Sequence, residues 1–185
     1  MLSMKMFHPV VIGWLIAVTL APVCAQAQGA QASNQQRLQA RLQKEVRHVL
    51  VTQPFYSVFD NLAYKVDGDR VTLLGQVVKP TLKSDAASAV KSIEGVAAVD
   101  NEMEVLPVSP SDDRIRLAEF RAIYSGPGME KYSIQAVPPI HIIVKNGHVT
   151  LVGVVASEAD KTITNVRAQS VPGVFSVTNQ LTVEK

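Results

Sequence analysis

The strongest constraint on this chain is that it repeats itself. Val71-Thr72-Leu73-Leu74-Gly75 and Val149-Thr150-Leu151-Val152-Gly153 are one pattern written 78 residues apart, and at that offset residues 62–107 align with 140–185 without a gap. Of those 46 positions 13 are identical, among them Val66/Val144, Gly75/Gly153, Gly95/Gly173, Val99/Val177 and Asn101/Asn179. A fixed period of this size means two copies of one supersecondary unit. The shared residues are mostly branched apolar groups and glycines, so a fold is what repeats. Lys83/Lys161 is the only charged pair that recurs among them.

The N-terminal residues stand apart from the repeat. Lys5, an apolar run from Val10 to Leu20 and the small-x-small triplet Ala25-Gln26-Ala27 predict a cleaved secretory signal peptide over residues 1–27. The apolar run is about half of the ~20 residues a spanning helix needs. Cys24 invites a lipoprotein reading, but Ala21-Pro22-Val23 matches a lipobox poorly, so the expectation is that Cys24 leaves with the signal. Trp14 leaves too, and the mature chain then has neither cysteine nor tryptophan. Each repeat must be held by its apolar core alone, without disulfides. Removing Lys5 leaves 17 Lys and Arg against 16 Asp and Glu, a net charge of +1. That balance disfavours a nucleic-acid partner.

Residues 28–36, rich in Gln, Ala and Ser, are expected as a disordered leader. Leu38, Leu42, Val46, Val49 and Leu50 then recur at helical spacing, with Arg37, Arg41, Lys44 and Arg47 over much of the remaining surface. A basic amphipathic helix can lie on an anionic membrane. An ordinary docking helix with its charges in water is the favoured reading here. Two strands follow, Val58–Val66 and Arg70–Val78, joined through Asp67-Gly68-Asp69, and Asn146-Gly147 fills the same hairpin turn in the second copy. Gly75 and Gly153 lie inside strands, where glycine signals a bulge or close backbone approach, and a crossing helix is the expected neighbour. Leu82, Ala86, Ala89, Val90 and Ile93 form the next helical stripe, answered in the second copy by Ile163, Val166, Ala168 and Val171. Ser157 and Asp160 approximate a capping box. A last strand ends each copy, over Val96–Leu106 and Val174–Val183, and its repeated Asn101 or Asn179 is expected to have a structural role with its amide partnered.

The prediction is therefore an α+β protein of two αββαβ repeats, each a small three-stranded mixed sheet with two helices packed on one face. The first domain spans 37–107 and the second 114–185, with a proline-containing linker at 108–113. The copies diverge in front of the second sheet. Ile115, Leu117, Ala118, Phe120, Ala122 and Ile123 exceed one stripe, Ser125-Gly126-Pro127-Gly128 breaks the helix early, and Tyr132-Ser133-Ile134 is read as the counterpart of Tyr56-Ser57-Val58. Such a surplus is either an exposed contact surface or the seam between two domains. The candidate membrane or partner contacts at this end are Arg114, Arg116, Phe120, Arg121, Tyr124 and Lys131.

The V-T-L-x-G strand, the Ile93-Glu94-Gly95-Val96 turn and Val99-Asp100-Asn101-Glu102-Met103-Glu104-Val105 resemble the BON domain, and the second copy is closer still, through residues 138–153, 171–174 and 177–183. The resemblance covers essentially the whole mature chain. It implies a periplasmic protein related to osmotic stress, without catalysis or cofactor, that binds anionic phospholipid surfaces. The other reading is a protein-interaction or chaperone-like module acting on envelope proteins. Enzyme chemistry has little to stand on in the residues themselves. His141 and His148 occupy opposite arms of one hairpin, where a meeting across the strands is one reading, but no carboxylate lies within it to complete a metal site. No phosphate-binding glycine loop or nucleophile elbow is present.

Overall fold

A computed structural model describes the backbone of residues 23–184 and the side chains of residues 34–184. The signal peptide expected at 1–27 therefore lies outside the described residues, apart from a backbone that is helical from Val23. Helix α1 runs Val23–Val51. The expected disordered leader at 28–36 is corrected, because these residues are inside that helix, and their Ala and Gln are good helix formers. Strands β1 (Asn61–Asp67) and β2 (Arg70–Val77) pair antiparallel, and helix α2 (Pro80–Lys91) leads to β3 (Ala98–Asn101) and β4 (Glu104–Val105), both parallel to β2. Helix α3 (Pro110–Tyr124) opens the second copy, followed by a single 3-10 turn at Glu130–Tyr132. Strands β5 (Ile140–Lys145) and β6 (His148–Val155), helix α4 (Glu158–Gln169) and β7 (Ser176–Val183) complete it, with β6 antiparallel to β5 and parallel to β7.

Two small mixed sheets thus form, as the repeat demands. In the first, Val71, Leu73 and Val77 of β2 pack under Val46 and Leu50 of α1 and Leu82, Ala86 and Val90 of α2. The second encloses Ile140, Ile142, Val149, Leu151 and Leu181 beneath Ile115, Ile123 and Ala168. Period-2 alternation of branched residues in the strands puts one face of each sheet against its helices.

Three expectations need correction. The linker at 108–113 is mostly the first turn of α3, because the Ser109 hydroxyl accepts the Asp112 N–H and Pro110 sits at the first helical position. The closest neighbour of each strand glycine is the backbone at the start of the antiparallel partner strand rather than a helix. A Cβ on Gly75 would collide with the Asn61 carbonyl oxygen and one on Gly153 with that of Pro139, and both residues have positive φ, 106° and 133°. In α4 half of the expected stripe fails: Ile163 and Val166 are exposed, while Ala168 and Val171 are buried as expected, with Asp160 and Thr164 on the inner face.

The recurring asparagines do act structurally. Asn101 Nδ2 donates to the Lys83 carbonyl and its Oδ1 accepts the Met103 N–H, and Asn179 repeats both bonds with Lys161 and Leu181. Each amide ties its helix to the last strand through a backbone carbonyl.

Candidate functional site

The diverging end of the second copy is a seam. Residues Arg37–Lys185 form one compact unit, and within it the segment before β1 inserts into the second sheet's core. Val58 belongs to that core, and its carbonyl accepts the Ile142 N–H at 2.8 Å. Phe59 meets the edge of Phe120 at 6.3 Å between ring centroids. Tyr56 stacks on His141 at 5.6 Å, its hydroxyl 3.2 Å from Nε2. Burial pushes the Tyr56 phenol up to about 12 and the His141 imidazole below its ordinary range. Glu104 and Lys145 close the far side as an exposed ion pair. The insertion is not reciprocated: Val58 is 7% exposed whereas Ile134, its expected counterpart, is 83% exposed.

Against this seam the six candidate contacts separate. Arg114, Arg121 and Lys131 are exposed, Phe120 is half-buried against Phe59 and Tyr124, and Arg116 and Tyr124 are buried. Arg116 donates to the Val144 carbonyl at 2.7 Å and pairs with Asp113, and the Tyr124 hydroxyl bonds the Ile140 carbonyl. Burial raises the Tyr124 phenol far above its ordinary range. Lys131 pairs with Asp160 at 2.8 Å, and that hydrogen bond together with the one from Tyr132 holds the Asp160 carboxyl below the usual range. The two histidines do not meet, since His141 is opposite Val152 while His148 pairs with Lys145 beside the turn and bonds Ser176. Among the described residues no group of three or more His, Cys, Asp or Glu is placed to hold a metal.

Phe55 and Lys79, which the sequence pattern passed over, complete the exposed end. Arg114, Leu117 and Arg121 fall at steps of three and four on the outer face of α3. Leu117 is 51% exposed and lines a cleft of about 270 Å³ with Phe55, Phe59, Lys79 and Arg116. Phe55, 64% exposed, lies beneath the Lys79 ammonium at 4.4 Å. Two apolar tips therefore stand beside Lys79, with Arg114 and Arg121 on the Leu117 face of α3 and the Asp60 and Asp113 carboxylates also lining the cleft. Phe55 follows Pro54 in a break between elements, so no periodicity points to it. A second, larger crevice of about 950 Å³ runs between the two halves, lined by Tyr56, Tyr64, Tyr132, Pro138, Pro139 and His141.

A family model of the BON domain matches residues 34–107 and 129–185. No curated protein matches the sequence. Among solved structures the chain is similar to CdsD, a structural protein of the type III secretion system of Chlamydia trachomatis, at 12% identity over 78% of this chain and 92% of that chain, with a TM-score of 0.30. A second structure, the C-terminal domain of the same protein, gives 14% identity over 77% and 96% and a TM-score of 0.27.

Proposed function

The chain belongs to the BON-domain family, matched twice along its length, and from that premise we propose that it is a peripheral, non-catalytic module of the bacterial envelope that binds anionic phospholipid surfaces. The observation that carries the reading is the rim at the seam. Phe55 and Leu117 share one cleft and present apolar tips to solvent, with Lys79 over the Phe55 ring and Arg114 and Arg121 on the Leu117 face of α3. Cations beside partly exposed apolar groups suit an anionic interface, where each basic residue contributes about 1 kcal/mol. Three of them give weak attachment that weakens with salt. Of the six contacts expected from sequence, Arg114 and Arg121 stay in this role and Lys131 lies elsewhere, beside Asp160. Arg116, Phe120 and Tyr124 serve packing. Delivery by a cleaved signal peptide to the periplasm, and a role in osmotic stress, accompany the proposal.

Sedimentation with anionic and neutral vesicles across a salt series tests it. Binding to anionic vesicles alone, lost at high salt and reduced by Phe55→Ser with Leu117→Ser, is the expected result. Equal and negligible sedimentation with both vesicle types sinks the reading. The crevice between the halves favours a second reading, protein contact, because its tyrosines and prolines suit an extended peptide. Cross-linking to an envelope protein when lipid is absent would support that reading instead.

A further inference from the structure

Helix α3 is fastened at its ends and compromised at its centre. Its first turn is tied to the second hairpin, where the buried Asp112 carboxylate accepts the N–H groups of Asn146 and Gly147 at 2.8 and 2.9 Å. Its last turn is tied by Tyr124 to Ile140, and Arg167 of α4 donates to the Ile123 and Pro127 carbonyls. Between them is Glu119, fully buried, with neither carboxylate oxygen hydrogen-bonded.

The first copy shows what this position ordinarily holds. Gly95 packs on Leu42 and Gly173 on Ile115, so Leu42 and Ile115 are equivalent, 115 − 42 = 73 residues apart. The same step relates Leu50 to Ile123 and Val46 to Glu119. Val46 is fully buried in the core of the first sheet. A carboxyl group therefore stands where the twin domain has a methyl-bearing side chain.

We propose that Glu119 makes α3 a proton-controlled clasp: protonated, it lets the helix stay docked on β5 and α4, and ionised, it loosens that docking and uncovers Ile115 and Ile123. An ionised carboxylate buried without a partner is strongly disfavoured, so the folded protein keeps it neutral or lets water in. The elements packed against α3 offer no charge to offset it. The inward side chains of β5 are Ile140, Ile142 and Val144. On α4 Asp160 is engaged by Lys131 and Tyr132 and Arg167 by backbone carbonyls, while Glu158 is exposed and Lys161 half-buried. On α3 itself Arg116 gives one terminal nitrogen to Asp113 and the other to Val144 and leaves its Nε unpartnered without bonding Glu119, and Asp112 is taken by the hairpin turn. Burial alone pushes the Glu119 carboxyl up to about 8. Its folded value exceeds its unfolded one, so its contribution to docking is complete below the ordinary carboxylate range and is lost as pH rises through about 8. The clasp stands whether or not the outer face of α3 meets lipid.

The test combines a carbon-13 NMR titration of the Glu119 carboxyl in the full chain with amide exchange of α3 in wild type, Glu119→Gln and Glu119→Val. After correction for intrinsic rates, wild-type α3 should exchange about ten-fold faster or more at about pH 9 than at about pH 5, while both variants change by less than about two-fold. Asp160 and His141 are common to all three proteins, so their titrations cancel in the comparison. A carboxyl resonance that titrates in the ordinary range, or the same exchange profile in all three proteins, overturns the proposal. The titration needs only the wild type and decides the matter even where a variant does not fold.

Discussion

The two halves of this molecule have the same strands, turns and crossover, yet fill them with different chemistry. The inner face of the first pair of helices presents Leu42, Val46, Leu50, Leu82, Ala86 and Val90. At the equivalent places the second presents Ile115, Glu119, Ile123, Asp160, Thr164 and Ala168. Leu82 has become Asp160, whose carboxylate accepts from Tyr132 and Lys131, while the Ala156 N–H finds the Tyr132 hydroxyl at 2.7 Å. In the first half the corresponding N–H, that of Val78, is taken by Asp60 at 2.8 Å. One fold thus accepts either an apolar interior or a polar one with its hydrogen bonds made, as long as each buried group is answered. Among the described residues Glu119 is the carboxylate left unanswered, beside single unpartnered nitrogens on Arg116 and His141, and it falls on the helix whose outer face carries Arg114, Leu117 and Arg121. The first half reads as a scaffold and a donor of Val58, while the second receives that insertion and carries the conditional element.

Changes to what the halves share should be the most damaging and nearly equal in both. Gly75→Ala or Gly153→Ala forces a Cβ onto a backbone carbonyl at positive φ, and each should cost about 3–5 kcal/mol in urea denaturation. A markedly milder effect in one half would show that its strand kink is adjustable. Exchanging what differs comes next. Val46→Glu should cost the first half about 3 kcal/mol at neutral pH, whereas Glu119→Val should stabilise the second by an increment that grows from the ordinary carboxylate range up to about 8 and then levels off. Stability curves at several pH values check both, and a destabilising Glu119→Val would erase the distinction. Asn101→Ala and Asn179→Ala should each cost about 1–3 kcal/mol, since each strands the Lys83 or Lys161 carbonyl and a strand N–H.

The smallest effect belongs to the seam. Burial keeps His141 neutral and depresses its folded pKa, so the contact with Tyr56 is complete above the ordinary histidine range and weakens as pH falls below it. His141→Gln should remove that acid-side dependence, by about 1 kcal/mol or less, in thermal unfolding between about pH 7 and about pH 5. An unchanged acid limb would place its origin elsewhere.

Much of the architecture was legible because it obeys short periods. Alternation in Leu73, Gly75 and Val77 and their counterparts, the Asp-Gly and Asn-Gly turns and the final Val-x-Asn strands follow from local sterics and one buried face. The helix α4 misled because its inner face is polar, so hydrophobic periodicity selected Ile163 and Val166, which face water. The start of α3 was legible in Ser109-Pro110 but lay in a stretch whose prolines read equally as a linker. At the candidate site, Arg114 and Arg121 were legible as exposed charges, while Arg116 and Tyr124 required knowledge of which carbonyls they meet. Glu119 left one trace, a carboxylate four residues from each of two apolar positions, Ile115 and Ile123.

The sequence by itself determined the duplication, the order of strands and helices within each copy and the family to which they belong, because periodicity and turn chemistry act over a few residues. Tertiary structure alone decided that Val58 crosses into the neighbouring core, that Phe55 and Leu117 meet at one cleft, and that Glu119 is shut away without a partner. Those outcomes depend on which surfaces two similar units turn toward each other. Residues far apart in the chain set that geometry, and no local pattern records it.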